Sequence, residues 1–184
     1  MTDASRSADG ETDLELITRW RAGDERAASA LVERHAPALA RFASSLGVRD
    51  DVEELVQDTF VRAFQSLDGF RGASSFRTWL FTIARRLLLD RRRSEQRRRD
   101  RVEIKEGDVA TEYDALDALV AGEAEARVLK ATKRLSPTQR EVFMLRVAEG
   151  LSYKEIADVV GTTEGAARVH YHNAMRTIKE HLDD

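Results

Sequence analysis

Three Ser/Thr-x-x-Glu/Gln boxes punctuate this chain: Thr12 with Glu15, Ser136 with Gln139, and Ser152 with Glu155. In each, the first hydroxyl can accept from the backbone N–H three residues on, while the later side chain reaches back to the first residue's own N–H. Pro137, directly after Ser136, strengthens the second box, because a proline at the first helical position gives up an N–H that has no helical partner there anyway. Between the boxes, apolar residues recur at helical spacing. Val52, Leu55, Val56, Phe60, Phe64 and Leu67 make one stripe, and Phe76, Trp79, Leu80, Ile83, Leu87 and Leu88 make another. No segment alternates with the period of two that a half-buried strand requires. The chain reads as all-α, with Pro37 expected to break or kink the helix that runs from Asp24 towards Leu46.

Composition narrows the chemistry. Aromatic residues make up 7% of the 184 residues and there are only two prolines, a mix that disfavours a β-sandwich or barrel. With no cysteine, disulfides, thiolate zinc sites and cysteine nucleophiles are excluded. His170 and His172 lie two apart on a helix and face different directions, so they do not form a metal pair. No apolar run approaches the ~20 residues of a membrane span, and the polar start, "MTDASRSADGETD", is unlike a signal peptide. A cytoplasmic protein without a cofactor or metal is expected, with residues 1–12 as a disordered tail. A Gly-rich phosphate loop and any prominent nucleophile–base pairing are missing as well, which argues against an enzyme.

Charge is distributed in blocks. Between Arg85 and Arg101 nine arginines stand against Asp90, Glu95 and Asp100, yet the whole chain carries a net charge of −3. The stretch after it sets Glu103, Glu106, Asp108, Glu112, Asp114, Asp117, Glu123 and Glu125 against Lys105 alone, and reads as a flexible acidic linker. Two small helical domains follow, 13–100 and 127–184, joined by residues 101–126. The linker is expected to shield the basic run when no ligand is present.

The segment from Leu151 to Leu182 has the grammar of a helix-turn-helix. Ser152 starts a short helix over 153–160 with Ile156 and Val159 facing inward, and Gly161 enters left-handed backbone space for the turn. Thr163 caps a second helix from Glu164 to Leu182, with Ala167, Tyr171, Ala174 and Ile178 as its core stripe. Its other face presents Gly165, Arg168, Val169, His172, Asn173 and Arg176, side chains suited to base edges and phosphates in a major groove. A helical hairpin that packs on protein is the plainer alternative.

Upstream, Trp79 and Phe81 lie beside Arg77, Arg85 and Arg86. Aromatic faces among arginines suit single-stranded nucleic acid, although Trp79 fits a core position equally well. The helix over 51–67 turns Glu53, Glu54, Gln57, Asp58, Arg62 and Gln65 outward. A face this acidic repels DNA, so it is either a protein-docking surface or plain solvated surface.

Taken in order, these segments resemble the extracytoplasmic-function group of bacterial sigma-70 factors. "DVEELVQDTFVRAFQSLDGF" resembles region 2.2, "SSFRTWLFTIARRLLLDRRR" regions 2.3 and 2.4, and "LSPTQREVFMLRVAEGLSYKEIADVVGTTEGAARVHYHNAMRTIKEHL" region 4. The resemblance implies a sigma region 2 bundle and a region 4 helix-turn-helix. Its implied partners are core RNA polymerase through the β′ and β subunits, promoter DNA as duplex and as melted non-template strand, and an anti-sigma factor. It makes Glu53, Glu54, Gln57, Asp58, Arg62 and Gln65 the polymerase-binding set. Arg77, Trp79, Arg85, Arg86, Arg92 and Arg93 become the minus-ten set, and Tyr153, Lys154, Thr163, Arg168, Val169, His172, Asn173 and Arg176 the minus-thirty-five set. The chain departs from the family where Arg86 replaces a usual asparagine and where His170 and Asn173 replace frequent arginines. The competing reading is a conventional helix-turn-helix activator, which requires a stable dimer and a palindromic site.

Overall fold

All three boxes start helices. Thr12 Oγ1 accepts from the Glu15 amide at 3.3 Å, Ser136 Oγ from Gln139 at 3.3 Å, and Ser152 Oγ from Glu155 at 3.2 Å. The return bonds are also made, from the Thr12, Ser136 and Ser152 amides to the Glu15, Gln139 and Glu155 side chains. The structure, a computed structural model, describes residues 10–48, 50–101 and 123–182. Regular structure in these residues is helical: α1 (Asp13–Arg21), α2 (Glu25–Ser45), α3 (Val52–Gln65), a 3-10 turn (Leu67–Gly69), α4 (Phe76–Arg101), α5 (Glu123–Thr132), α6 (Pro137–Val147), α7 (Tyr153–Val160) and α8 (Glu164–Leu182). Residues 1–9 of the expected tail and 102–122 of the expected linker lie outside the described residues.

Pro37 does not interrupt α2, which runs unbroken through it. A proline costs a helix one N–H bond and a ring clash. Here the helix is held from outside, because Leu31, His35, Ala38, Leu39 and Phe42 on either side of Pro37 are all buried against neighbouring helices. Tertiary packing outweighs the local penalty.

The stripes read from the sequence face inward. Leu55 and Phe60 of α3 and Phe76, Leu80 and Leu88 of α4 are buried, while Val52, Val56, Phe64, Trp79, Ile83 and Leu87 pack on them at the margin. Phe42 of α2 meets Phe81 of α4 edge-on at 5.2 Å, the favourable geometry for aromatic pairs. Phe81, expected to offer its face to bases, is instead fully buried. The run "LFTIARRLLL" is apolar on more than one side, and only the position of α2 decides which ring goes in.

The same core continues past the charge boundary. Val142 and Leu145 of α6, Leu151, and Ile156 and Val159 of α7 belong to one buried cluster with the side chains of α1–α4. A smaller cluster of Ala131, Leu135, Phe143, Ala174 and Ile178 ties α5, α6 and α8 together. The two helical units are therefore packed against each other, with α7 lying along α4 and α6 beside α2.

Candidate nucleic-acid interface

The outer face of α3 is built by helical spacing alone. Glu53, Glu54, Gln57, Arg62 and Gln65 are exposed and Asp58 is half-buried, all on the side opposite Leu55, Thr59 and Ala63. Val61, 53% exposed in the middle of this polar face, was not among the expected residues. Nor was Arg91 of α4, whose guanidinium donates to Glu54 at 3.0 Å and to Asp58 at 2.6 Å. Both carboxylates remain largely open, at 65% and 49% side-chain exposure.

Along α4 the arginines expected to meet DNA divide into two groups. Arg86 and Arg93 are exposed, and Arg93 makes only a long 3.8 Å pair with Asp90. Arg92 is exposed too, while donating to the Leu46 carbonyl. Arg77 and Arg85 point to the second unit. Arg77 donates to the Glu149 carbonyl at 2.8 Å and to its carboxylate at 2.5 Å, and Arg85 donates to Glu141 at 2.8 Å. Trp79 is half-buried in an aromatic group with Phe70 at 5.1 Å and Phe76 at 5.8 Å.

The helix-turn-helix lies where the sequence places it. Gly161 closes α7 at φ +73°, in the left-handed region, and its amide caps the Ala157 carbonyl. A Cβ built at Gly161 meets nothing within 4 Å. Gly161→Ala should therefore cost backbone strain alone, about 1 kcal/mol, read as a lower urea midpoint at an unchanged slope. Thr163 Oγ1 accepts from the Ala166 amide at 3.1 Å and so caps α8. From this helix Arg168, Val169, His172 and Arg176 are exposed and Asn173 is half-buried, with exposed Lys154 on α7 and Thr163 at the turn. Tyr153 is set apart from them, since its half-buried ring carries the Arg146 guanidinium at 4.8 Å and the Arg168 guanidinium at 5.0 Å and touches Tyr171. It orients Arg168, which also pairs with Glu164.

Charged groups gather at the junction. Arg41 of α2 approaches Glu149 in a fork, Nε to one carboxylate oxygen and Nη2 to the other, both at 3.2 Å. Glu155 of α7 accepts from the Thr78 hydroxyl at 3.0 Å. Burial pushes the Glu155 carboxyl up, but bonds from the Ser152 amide and hydroxyl and from Thr78, with the charge of Arg77, bring it net below the usual glutamate value. Opposing these contacts, the Arg140 guanidinium is held below its ordinary value by burial and by the nearby charge of Arg92.

Glu155 gives a pH signature. Its folded-state value is depressed, so its contribution is complete above the ordinary glutamate value and is lost as pH falls through the lowered one. The thermal midpoint should decline on acidification below about pH 4.5, and Glu155→Gln should flatten part of that acid arm. An unchanged acid arm in the variant would remove Glu155 from the account.

Comparison with known proteins agrees with this geometry. The family description "Sigma-70 region 2" matches residues 31–98, and "Sigma-70, region 4" matches residues 125–178. The chain is 34% identical over 163 residues to the RNA polymerase sigma factor NccH of Alcaligenes xylosoxydans xylosoxydans, covering 86% of this chain and 88% of that protein. It is 31% identical over 176 residues to the ECF RNA polymerase sigma-E factor of Escherichia coli K12, covering 91% and 92%. Among solved structures, CnrH in complex with the cytosolic domain of CnrY is similar with a TM-score of 0.71 at 29% identity, covering 94% of this chain and 98% of that one. The sigma factor RpoE in complex with the anti-sigma factor NepR, from Bartonella quintana, is similar with a TM-score of 0.69 at 30% identity, covering 84% and 96%. None of the described helices is long and apolar enough to cross a membrane. With both regions matched in order and relatives alike over nearly their whole lengths, the chain belongs to the sigma-70 family of RNA polymerase sigma factors, in its extracytoplasmic-function group.

Proposed function

We propose a division of labour in which residues 13–100 dock on core polymerase and hold melted minus-ten DNA, while residues 127–184 read the minus-thirty-five element as duplex. The observation that carries it is the pairing of opposite faces on adjacent helices. The outer face of α3 is acidic and exposed, whereas α4 presents Arg86, Arg92 and Arg93 to solvent. Protein docks on the first without attracting DNA to it, and backbone phosphates follow the second. Trp79, half-buried, offers its exposed part as a stacking surface for an unpaired base at the head of that strip. In α8, Arg168, Val169, His172, Asn173 and Arg176 address base edges, with Lys154 and Thr163 on phosphates.

Residues 101–126 join the two readers, so polymerase sets their spacing and effective concentration couples two weak contacts into one site. No catalytic group is assigned to this chain, because polymerase makes the bonds. The reading places the protein in the cytoplasm with polymerase. It also includes an anti-sigma factor as a partner, since two similar structures were solved as complexes, one of them with a named anti-sigma factor.

The test is run-off transcription. Core polymerase with this chain should initiate on a promoter recovered from a random DNA pool, and Trp79→Ala should lower open-complex formation while leaving polymerase binding intact. A conventional activator would instead bind that DNA as a dimer without polymerase and add no initiation to the core enzyme.

A further inference from the structure

Tyr153 stands in the first turn of α7, directly after the Ser152 cap. Its half-buried ring packs at the margin of the main core and meets Tyr171 of α8 edge-on at 5.8 Å. The ring is therefore fixed by both helices of the hairpin. Two guanidiniums lie over it, Arg146 of α6 at 4.8 Å and Arg168 of α8 at 5.0 Å. Arg146 is tied down within the hairpin, donating to the Leu151 carbonyl at 2.7 Å. Arg168 is the more open of the two contacts to solvent, with 55% of its side chain exposed, and it donates to Glu164, one turn earlier on α8, at 3.0 Å. Ring and carboxylate together restrain this one guanidinium, the ring by cation–π attraction and the carboxylate by a charged hydrogen bond. An arginine on an exposed helix face otherwise samples many rotamers, and its planar fork reads a base edge only when its plane is set.

We propose that Tyr153 is a positioning residue for recognition of the upstream element: without touching a base, its ring, with Glu164, sets the plane of Arg168 so that the guanidinium selects guanine. This rests on the sigma-factor reading of α8. Guanine follows from the donor set, because a fixed guanidinium presents two parallel N–H groups, and in the major groove guanine alone offers two adjacent acceptors, O6 and N7. A loose Arg168 keeps its charge and its attraction for phosphate, and loses only the choice of base. Glu164 has a double effect on this account. As an anion beside a phosphate-seeking arginine it weakens attraction to any DNA, while as a partner of that arginine it sharpens the selection of one base pair. Affinity and discrimination are thus carried by different side chains of the same hairpin.

The test uses holoenzyme made from core polymerase and the full chain, bound to a fluorescent promoter recovered from the random pool. Each guanine of the upstream element is replaced in turn by 7-deazaguanine, which lacks the N7 acceptor. Wild type should lose about ten-fold in affinity at one of these guanines. Tyr153→Leu should bind the unmodified promoter about ten-fold less tightly and be indifferent to the replacement at that guanine. Tyr153→Phe keeps the ring and should behave as wild type, a rescue that a merely structural tyrosine contact with DNA would not give. Glu164→Gln should shrink the replacement penalty to about three-fold, while binding the unmodified promoter at least as tightly as wild type. Its side chain is exposed, so this second variant tests the arrangement even where Tyr153→Leu loosens the hairpin. An upstream element at which no guanine responds would overturn the proposal, as would a penalty undiminished in Tyr153→Leu or in Glu164→Gln. A loss in Tyr153→Phe equal to that in the leucine variant would overturn it too, by making the phenol a direct DNA contact. Failure of the sigma reading shows separately, as a wild-type chain that gives core polymerase no initiation on any recovered promoter.

Discussion

Core RNA polymerase should bind the wild-type chain and release the triple variant Glu54→Lys, Gln57→Ala, Asp58→Lys, with affinity lower by about 100-fold or more, roughly 3 kcal/mol. The size of the effect follows from position and sign. All three side chains lie on the open face of α3, the proposed docking surface, where reversing two charges would replace attraction by repulsion. The fold should survive, because none of the three is in the core. Among the described residues the intramolecular cost falls on Arg91, which loses Glu54 and Asp58 as partners and gains two like charges. Exposed pairs of this kind contribute at most about 1 kcal/mol each. Arg91→Ala separates the two effects: it removes the same ion pairs but leaves the carboxylates, and should retain polymerase binding within a few-fold. Gel filtration with core enzyme reads both. If the triple variant bound as well as wild type, α3 would be ordinary solvated surface and docking would have to be sought elsewhere.

The largest loss of stability should come from Phe81→Ala. The ring is 1% exposed and meets Phe42 edge-on, so truncation removes its burial, leaves a cavity and breaks the aromatic pair. Such changes cost about 3–5 kcal/mol, a large share of the ~5–15 kcal/mol that holds a typical domain folded. The effect reaches function because Phe81 sits between Arg77 and Arg85 on α4, and the Arg77 guanidinium lies over its ring at 5.6 Å. A loosened α4 would lose the alignment of its arginines and of Trp79. Urea unfolding should show the midpoint collapse, with Phe81→Leu recovering most of it. A loss under about 1 kcal/mol for the alanine variant would mean that the α2–α4 contact contributes little to the core.

Both predictions draw on what was legible in the sequence and on what was not. The acidic face of α3 was readable because helical spacing alone puts Leu55 in and Glu54 out. Capping boxes are equally local, each resting on side chains three residues apart, and all three form. The helix-turn-helix was readable for the same reason, since a serine cap, a left-handed glycine and a threonine cap define it within a dozen residues. Phe81 was not readable, because the apolar run around it offers more than one inward face.

The set of helices, their starts and the order of charged blocks could be read residue by residue, since these depend on interactions within one or two turns. Family membership was legible on the same basis, as an order of local motifs. The tertiary structure decided what sums over distant residues. It carries α2 unbroken through Pro37, buries Phe81 against Phe42, and spends Arg91 on Glu54 and Asp58. It also brings Arg41, 108 residues away, to Glu149, and Arg77 with it. An arginine's partner is set by which helices the core presses together. Local sequence records that each cation exists, and only packing selects the anion it meets.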